Sequence, residues 1–194
     1  LYINQTHPYF RAPHIYIALP ARIFFDRRTL APEEVEFNAS AQDSRVGVAG
    51  DCSDGVLLTS RSGTTLYDFP FMVRFIRPGI GESNWQSRDN YPALGVVQTG
   101  PAEMSLFVNR DTGQRTDYLE RMTLRLDGFS SLNAPYAGGE MTTKPFTFSG
   151  EELAINYSTS AAGSVRVELQ DEAGAPIPGY GAQDCRELIG DEIE

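Results

Sequence analysis

This chain is poor in the residues that usually reveal chemistry. It has two cysteines (Cys52 and Cys185), two histidines (His7 and His14) and a single tryptophan, Trp85. Two cysteines are too few for a disulfide scaffold, and this pair lacks metal-ligand spacing. They read either as one disulfide bond or as two buried thiols, and they leave the redox compartment open. Two histidines without a third ligand make a weak zinc centre. Cations are sparse and lopsided: Lys144 is the only lysine, every other cation is arginine, and the net charge is −10. Phosphate binding needs clustered cations, so nucleic acid is excluded as an expected partner. No apolar run approaches a membrane span, which excludes an expected membrane partner. No helical period longer than two turns is evident, and there is no low-complexity tract. No signal peptide is visible, and the opening on Leu1 reads as a cut or processed end.

What is present suits short strands. Hydrophobic residues make up 41% of the chain, enough for a core. The 18 glycines and 12 prolines are spread along the sequence instead of gathering in linkers, as tight turns between many strands require. A strand is expected at Ile15–Leu19, stopped by Pro20, because proline cannot donate to a central ladder. Asp26–Gln42 reads as a polar loop in which Ala31–Glu36 could make one helical turn, and Val46–Val48 is ambiguous. Further strands are expected at Gly55–Ser60, with a turn at Ser62-Gly63, and at Met72–Ile76, stopped by Pro78-Gly79. Ala93–Gln98 and Met104–Asn109 form an expected pair around Thr99–Ala102. Leu119–Leu126 alternates with a period of two. The character changes after Asp127-Gly128, where a domain boundary is expected. Strands follow at Pro145–Phe148, Glu152–Tyr157 and Ser164–Gln170, with a hairpin turn at Asp171–Gly174.

Several segments together carry a resemblance. They are Tyr9–Tyr16 (YFRAPHIY), Asp54–Arg61 (DGVLLTSR), Phe75–Gly79 (FIRPG), Asn84-Trp85 with Arg88 and Asn90, and Thr99–Leu106 (TGPAEMSL). As a set they resemble the later blades of five-bladed β-propeller glycoside-hydrolase-like proteins, found mainly in environmental and marine bacteria. The tail from Arg125 to Ile193 is similar to the β-sandwich that follows the propeller in that family. The resemblance implies an all-β, antiparallel fold: partial propeller blades over 1–127, then a sandwich or jelly-roll-like domain over 128–194. It implies a fragment at both ends, lacking the early blades and one or two sandwich strands. A second copy could then cover the open sheet edges as a homo-oligomer. The turn departs from the blade pattern at Ser62, where Asp is usual, and at Leu66, where an aromatic is common. The implied function is a glycoside-hydrolase-like protein directed at a poly- or oligosaccharide, periplasmic or extracellular. The alternative is a non-catalytic carbohydrate-binding or structural β-module.

Glycoside hydrolysis generally needs two carboxyl groups flanking the bond, one protonated and one charged. Asp51, Asp54, Glu82, Asp89 and Glu103 are available. Asp54 and Glu103 are the catalytic candidates, because each adjoins an apolar strand and could point into a shared cleft. Their competing role is that of turn-capping or surface acids. The expected sugar-binding residues are Arg11, His14, Trp85, Arg88 and Asn90. Trp85 could stack on the apolar face of a sugar, with Arg88 and Asn90 bonding hydroxyls, or else pack beneath its own loop. No cofactor is expected. Calcium is the one ion considered, at Asp51–Asp54 or Asp171–Gly174, and neither stretch has the ligand alternation of a calcium loop.

Overall fold

The computed structural model describes residues 1–25, 27, 29, 51–69, 73–86, 88–112 and 115–193. The expected helical turn at Ala31–Glu36, the Val46–Val48 segment and Met72 lie outside the described residues. Those described form antiparallel sheets and no helix, and are all-β as expected. Among them no helix is long and apolar enough to cross a membrane. The chain divides into two compact units, Leu1–Thr123 and Leu124–Glu194.

The first unit is built around one bent ribbon. Strands β1 (His7–Tyr9) and β2 (Ala12–Ala18) form a hairpin, and β3 (Ala21–Phe24) resumes two residues after β2 ends. Strands β4 (Cys52–Val56) and β5 (Leu58–Arg61) run back along them, Ala18 opposite Leu58 and Ala21 opposite Gly55. The ribbon breaks at Pro20 on one side and Leu57 on the other. Pro20 has no amide to donate, but its carbonyl accepts from Val56 N at 3.0 Å. One continuous pairing is thereby divided between two sheets, β1-β2-β5 and β3-β4-β6, with β6 at Arg74–Ile76. Gly55–Ser60, expected as one strand, is split at this bend. Ile17, Ala18, Leu19, Val56, Leu58 and Ile76 are buried around it. Gly55 is dictated by packing: a Cβ there would lie 2.9 Å from Ile76 Cβ.

The third sheet is β7-β8-β9, formed by Val97–Gly100, Glu103–Arg110 and Tyr118–Arg125. The hairpin expected around Thr99–Ala102 is present, but β7 starts four residues later than expected. Gly95, at φ +98°, interrupts it, while Ala93 N still reaches Phe107 O at 2.8 Å. Alternation sorts β8: Met104, Leu106, Val108 and Arg110 all face inward. In β9, Glu120 and Met122 are the more covered positions, whereas Leu119 and Arg121 are exposed.

The second unit departs from expectation in its strands. Residues 130–154 are exposed, and Pro145–Phe148 is not a strand. The regular pairing is β10 (Tyr157–Ser158) with β11 (Asp191–Glu192), supplemented by bridges between Val165 and Leu188 and between Gln170 and Pro176. Apolar alternation selects a face, but a strand needs a partner for its amides. Phe146 and Phe148 have the alternation without the partner and stand 66% and 71% exposed. The Asp171–Gly174 turn does form, with Asp171 Oδ1 accepting from the amides of Ala173 and Ala175, both at 2.9 Å.

Candidate functional site

The loop over residues 79–90 is held against the Cys52 end of β4 and the end of β8. Glycine at 79 and at 81, with φ of +92° and +90°, lets the chain turn sharply out of β6. Three side-chain anchors then draw the loop inward. Ser53 Oγ donates to Asp89 O at 2.5 Å and lies 3.1 Å from Gln86 O. Gln86 Nε2 donates to Ser83 O at 3.0 Å and Thr112 O at 3.1 Å. Asn90 Nδ2 donates to Ser53 O at 2.9 Å and Asn84 O at 3.0 Å, while Asn90 Oδ1 accepts from Arg110 Nη1. Arg110 also donates to Arg77 O at 2.9 Å and pairs with Glu120 at 2.6 Å. A buried guanidinium is tolerable only with partners of this kind.

The seven residues singled out from sequence take different places. Asn90 is 0% exposed, with both side-chain atoms satisfied, so it builds the loop and offers no surface to a sugar. Its φ of +64° suits asparagine. Trp85 is 38% exposed, and its indole Nε1 donates to Gly79 O at 3.1 Å. The ring is thus partly held beneath its own loop and partly presented outward. Arg88 is exposed at φ +73°, and its carbonyl accepts from Thr112 Oγ1 at 3.1 Å. Asp54 follows Ser53 in β4 and stands opposite Arg22, which reaches both carboxylate oxygens, at 2.9 and 2.7 Å. Trp85, Arg88 and Asn90 therefore share one loop, whereas Asp54, one residue past the anchor Ser53, turns its side chain to the other face of β4, toward Arg22.

Glu103, Arg11 and His14 do not join that loop. Glu103 opens β8, roughly 23 Å of strand from Arg110 at the other end. It is partly exposed, pairs with Arg121 and accepts from Thr99 Oγ1 at 2.7 Å. Arg11 lies in the β1–β2 turn, whose neighbour Tyr9 reaches Met104 Sδ at 3.7 Å, near the Glu103 end of β8. His14 is exposed on β2, its carbonyl accepting from Ser62 N at 2.9 Å. The two catalytic candidates are accordingly held at separate places, each by an arginine.

Another carboxyl has the perturbed environment. Asp89 is 0% exposed; its Oδ1 accepts from Thr112 N at 2.6 Å, and its Oδ2 has no partner. Burial raises its pKa from 3.8 to about 6, against the hydrogen bond from Thr112 and with help from nearby Asp111. Arg22, Ser53, Gln86, Arg110 and Thr112 were not anticipated. The one available signal was the alternation along β8, which puts Arg110 in register with three buried apolar residues. Cys52 and Cys185 are free thiols. Burial, the largest influence, pushes the Cys52 thiol up, and it donates to Arg27 O at 2.7 Å. Among the described residues no group of three or more His, Cys, Asp or Glu is placed to hold a metal ion. No family model, curated protein or solved structure matches this chain.

Proposed function

We propose that this chain is a carbohydrate-directed β-protein in which the 79–90 loop contributes sugar contacts. The observation that carries the reading is Trp85. It is a partly exposed indole on a loop whose base is immobilised by Ser53, Gln86 and Asn90, with Arg88 exposed beside it. A fixed aromatic edge next to a guanidinium suits the apolar face and the hydroxyls of a sugar ring. The three-stranded sheets of the first unit are compatible with partial propeller blades, and the tail with part of a sandwich.

Within this reading the non-catalytic alternative is the better supported. Glycoside hydrolysis requires one carboxyl group to hold a proton while another stays charged, roughly 5–10 Å apart. Asp54 is tied by two bonds to Arg22, and Glu103 is paired with Arg121. In the glycoside-hydrolase-like reading, the acid–base pair of the full site would come in part from outside this chain.

A glycan array probed with the wild-type chain and with Trp85→Ala tests the proposal. Binding to a defined set of glycans, reduced at least tenfold by the substitution, is the expected result. Absence of binding to every glycan, or binding indifferent to the substitution, removes the assignment.

A further inference from the structure

The cluster that anchors the 79–90 loop is short of donors. Three buried oxygens there have no hydrogen-bond partner: Gln86 Oε1, Asp89 Oδ2 and Asp111 Oδ1. Their residues are 1%, 0% and 9% exposed, so water does not freely supply what is missing. The Gln86 amide cannot correct this by turning over. Its Nε2 already serves two carbonyls, Ser83 O and Thr112 O, and a flip would set oxygen against oxygen. The Asp111 backbone is held as well, its amide donating to Asn84 Oδ1 at 2.9 Å.

The charged groups around Asp89 do not supply a donor either. On the loop, Glu82 is an acid and Arg88 is exposed. On β4, Asp54 is neutralised by Arg22, and the Cys52 thiol donates to Arg27 O. At the end of β8, the Arg110 guanidinium is committed to Asn90, Arg77 and Glu120, and Asp111 repels a second negative charge. A proton on Asp89 would convert an unpartnered acceptor into a donor, in a cluster that holds two further unpartnered acceptors on Gln86 and Asp111.

We propose that Asp89 is a proton-operated latch on this loop. Protonated, its Oδ2–H donates within the buried cluster and locks the loop onto the Asp111-Thr112 turn. Ionised, it is a buried carboxylate with one oxygen unserved, and the loop loosens to admit water. The inference is independent of the carbohydrate reading. Its direction follows from linkage. A group whose pKa is raised from 3.8 to about 6 on folding stabilises the fold below the lower value, and the contribution is lost as pH rises through the upper one.

Trp85 is the only tryptophan and lies in the same loop, so its emission reports the latch directly. Between pH 4.5 and 8.5 the wild-type chain should show a one-proton transition with a midpoint near 6, the emission moving to longer wavelength on the alkaline side. Asp89→Asn, which keeps a neutral donor, should remove the transition and hold the emission at its acid value. Asp111→Asn, which removes the neighbouring charge, should keep the transition and lower its midpoint. The transition should survive in the double variant His7→Gln, His14→Gln, which removes both histidines of the chain. A flat wild-type profile, a transition that persists in Asp89→Asn, or a transition lost with the histidines would overturn the proposal. Should Asp89→Asn fail to fold, an Asp111→Asn midpoint that does not move would overturn it.

Discussion

Asn90 is the side chain on which the loop most depends, and its removal can be reckoned from the structure. Asn90→Ala deletes two amide donors, leaving the carbonyls of Ser53 and Asn84 without them, and deletes the oxygen that receives Arg110. A neutral hydrogen bond of this type contributes about 1 kcal/mol net, and one to a charged group about 1.5–3 kcal/mol. The substitution also places an alanine at φ +64°, a left-handed conformation that costs a residue with a Cβ roughly 1–2 kcal/mol. These contributions share a site and are not additive, so the expected loss is about 4 kcal/mol, short of the simple total. That is a large part of the roughly 5–15 kcal/mol that holds a domain folded. Urea unfolding followed by Trp85 emission reads the unit concerned. With a slope of about 2 kcal/mol per molar, the midpoint should fall by roughly 2 M. Asn90→Gly relieves the backbone cost and should recover about 1 kcal/mol of the loss. A loss below about 1.5 kcal/mol for Asn90→Ala would refute the reasoning, because these bonds would then be replaceable by water.

Two further perturbations test the packing and the ion pairs. Gly55→Ala places a methyl 2.9 Å from Ile76 Cβ between β4 and β6 and should cost about 1–3 kcal/mol in the same unfolding assay; a neutral effect would mean that the pairing yields easily. Arg22→Ala leaves Asp54 largely covered and without either of these two bonds, and should cost about 2 kcal/mol, whereas Glu103→Gln, at a partly exposed pair, should cost under about 1 kcal/mol. Equal losses for those two variants would argue against the difference in burial that separates the pairs.

The all-β character was legible from residue order because it rests on local chemistry. Pro20 lacks an amide N–H, Gly63 takes a backbone angle that other residues resist, and the alternation along Leu119–Leu126 can serve only a pleated strand. Those properties travel with the residue. Pairing does not. Pro145–Phe148 has the strand pattern and no strand, since the donors and acceptors that would complete it belong to another segment. The site divides in the same way. Trp85 and Arg88 stood out as an aromatic and a cation in a polar loop. That Asn90 is wholly buried, that Arg22 holds Asp54, and that Glu103 sits at the far end of β8 from Arg110 depend on which strands lie side by side. Asp89 illustrates the limit most sharply. Its acid side chain was evident from the start, but it acquires an unusual proton affinity only when folding strips away its water and sets the charge of Asp111 nearby.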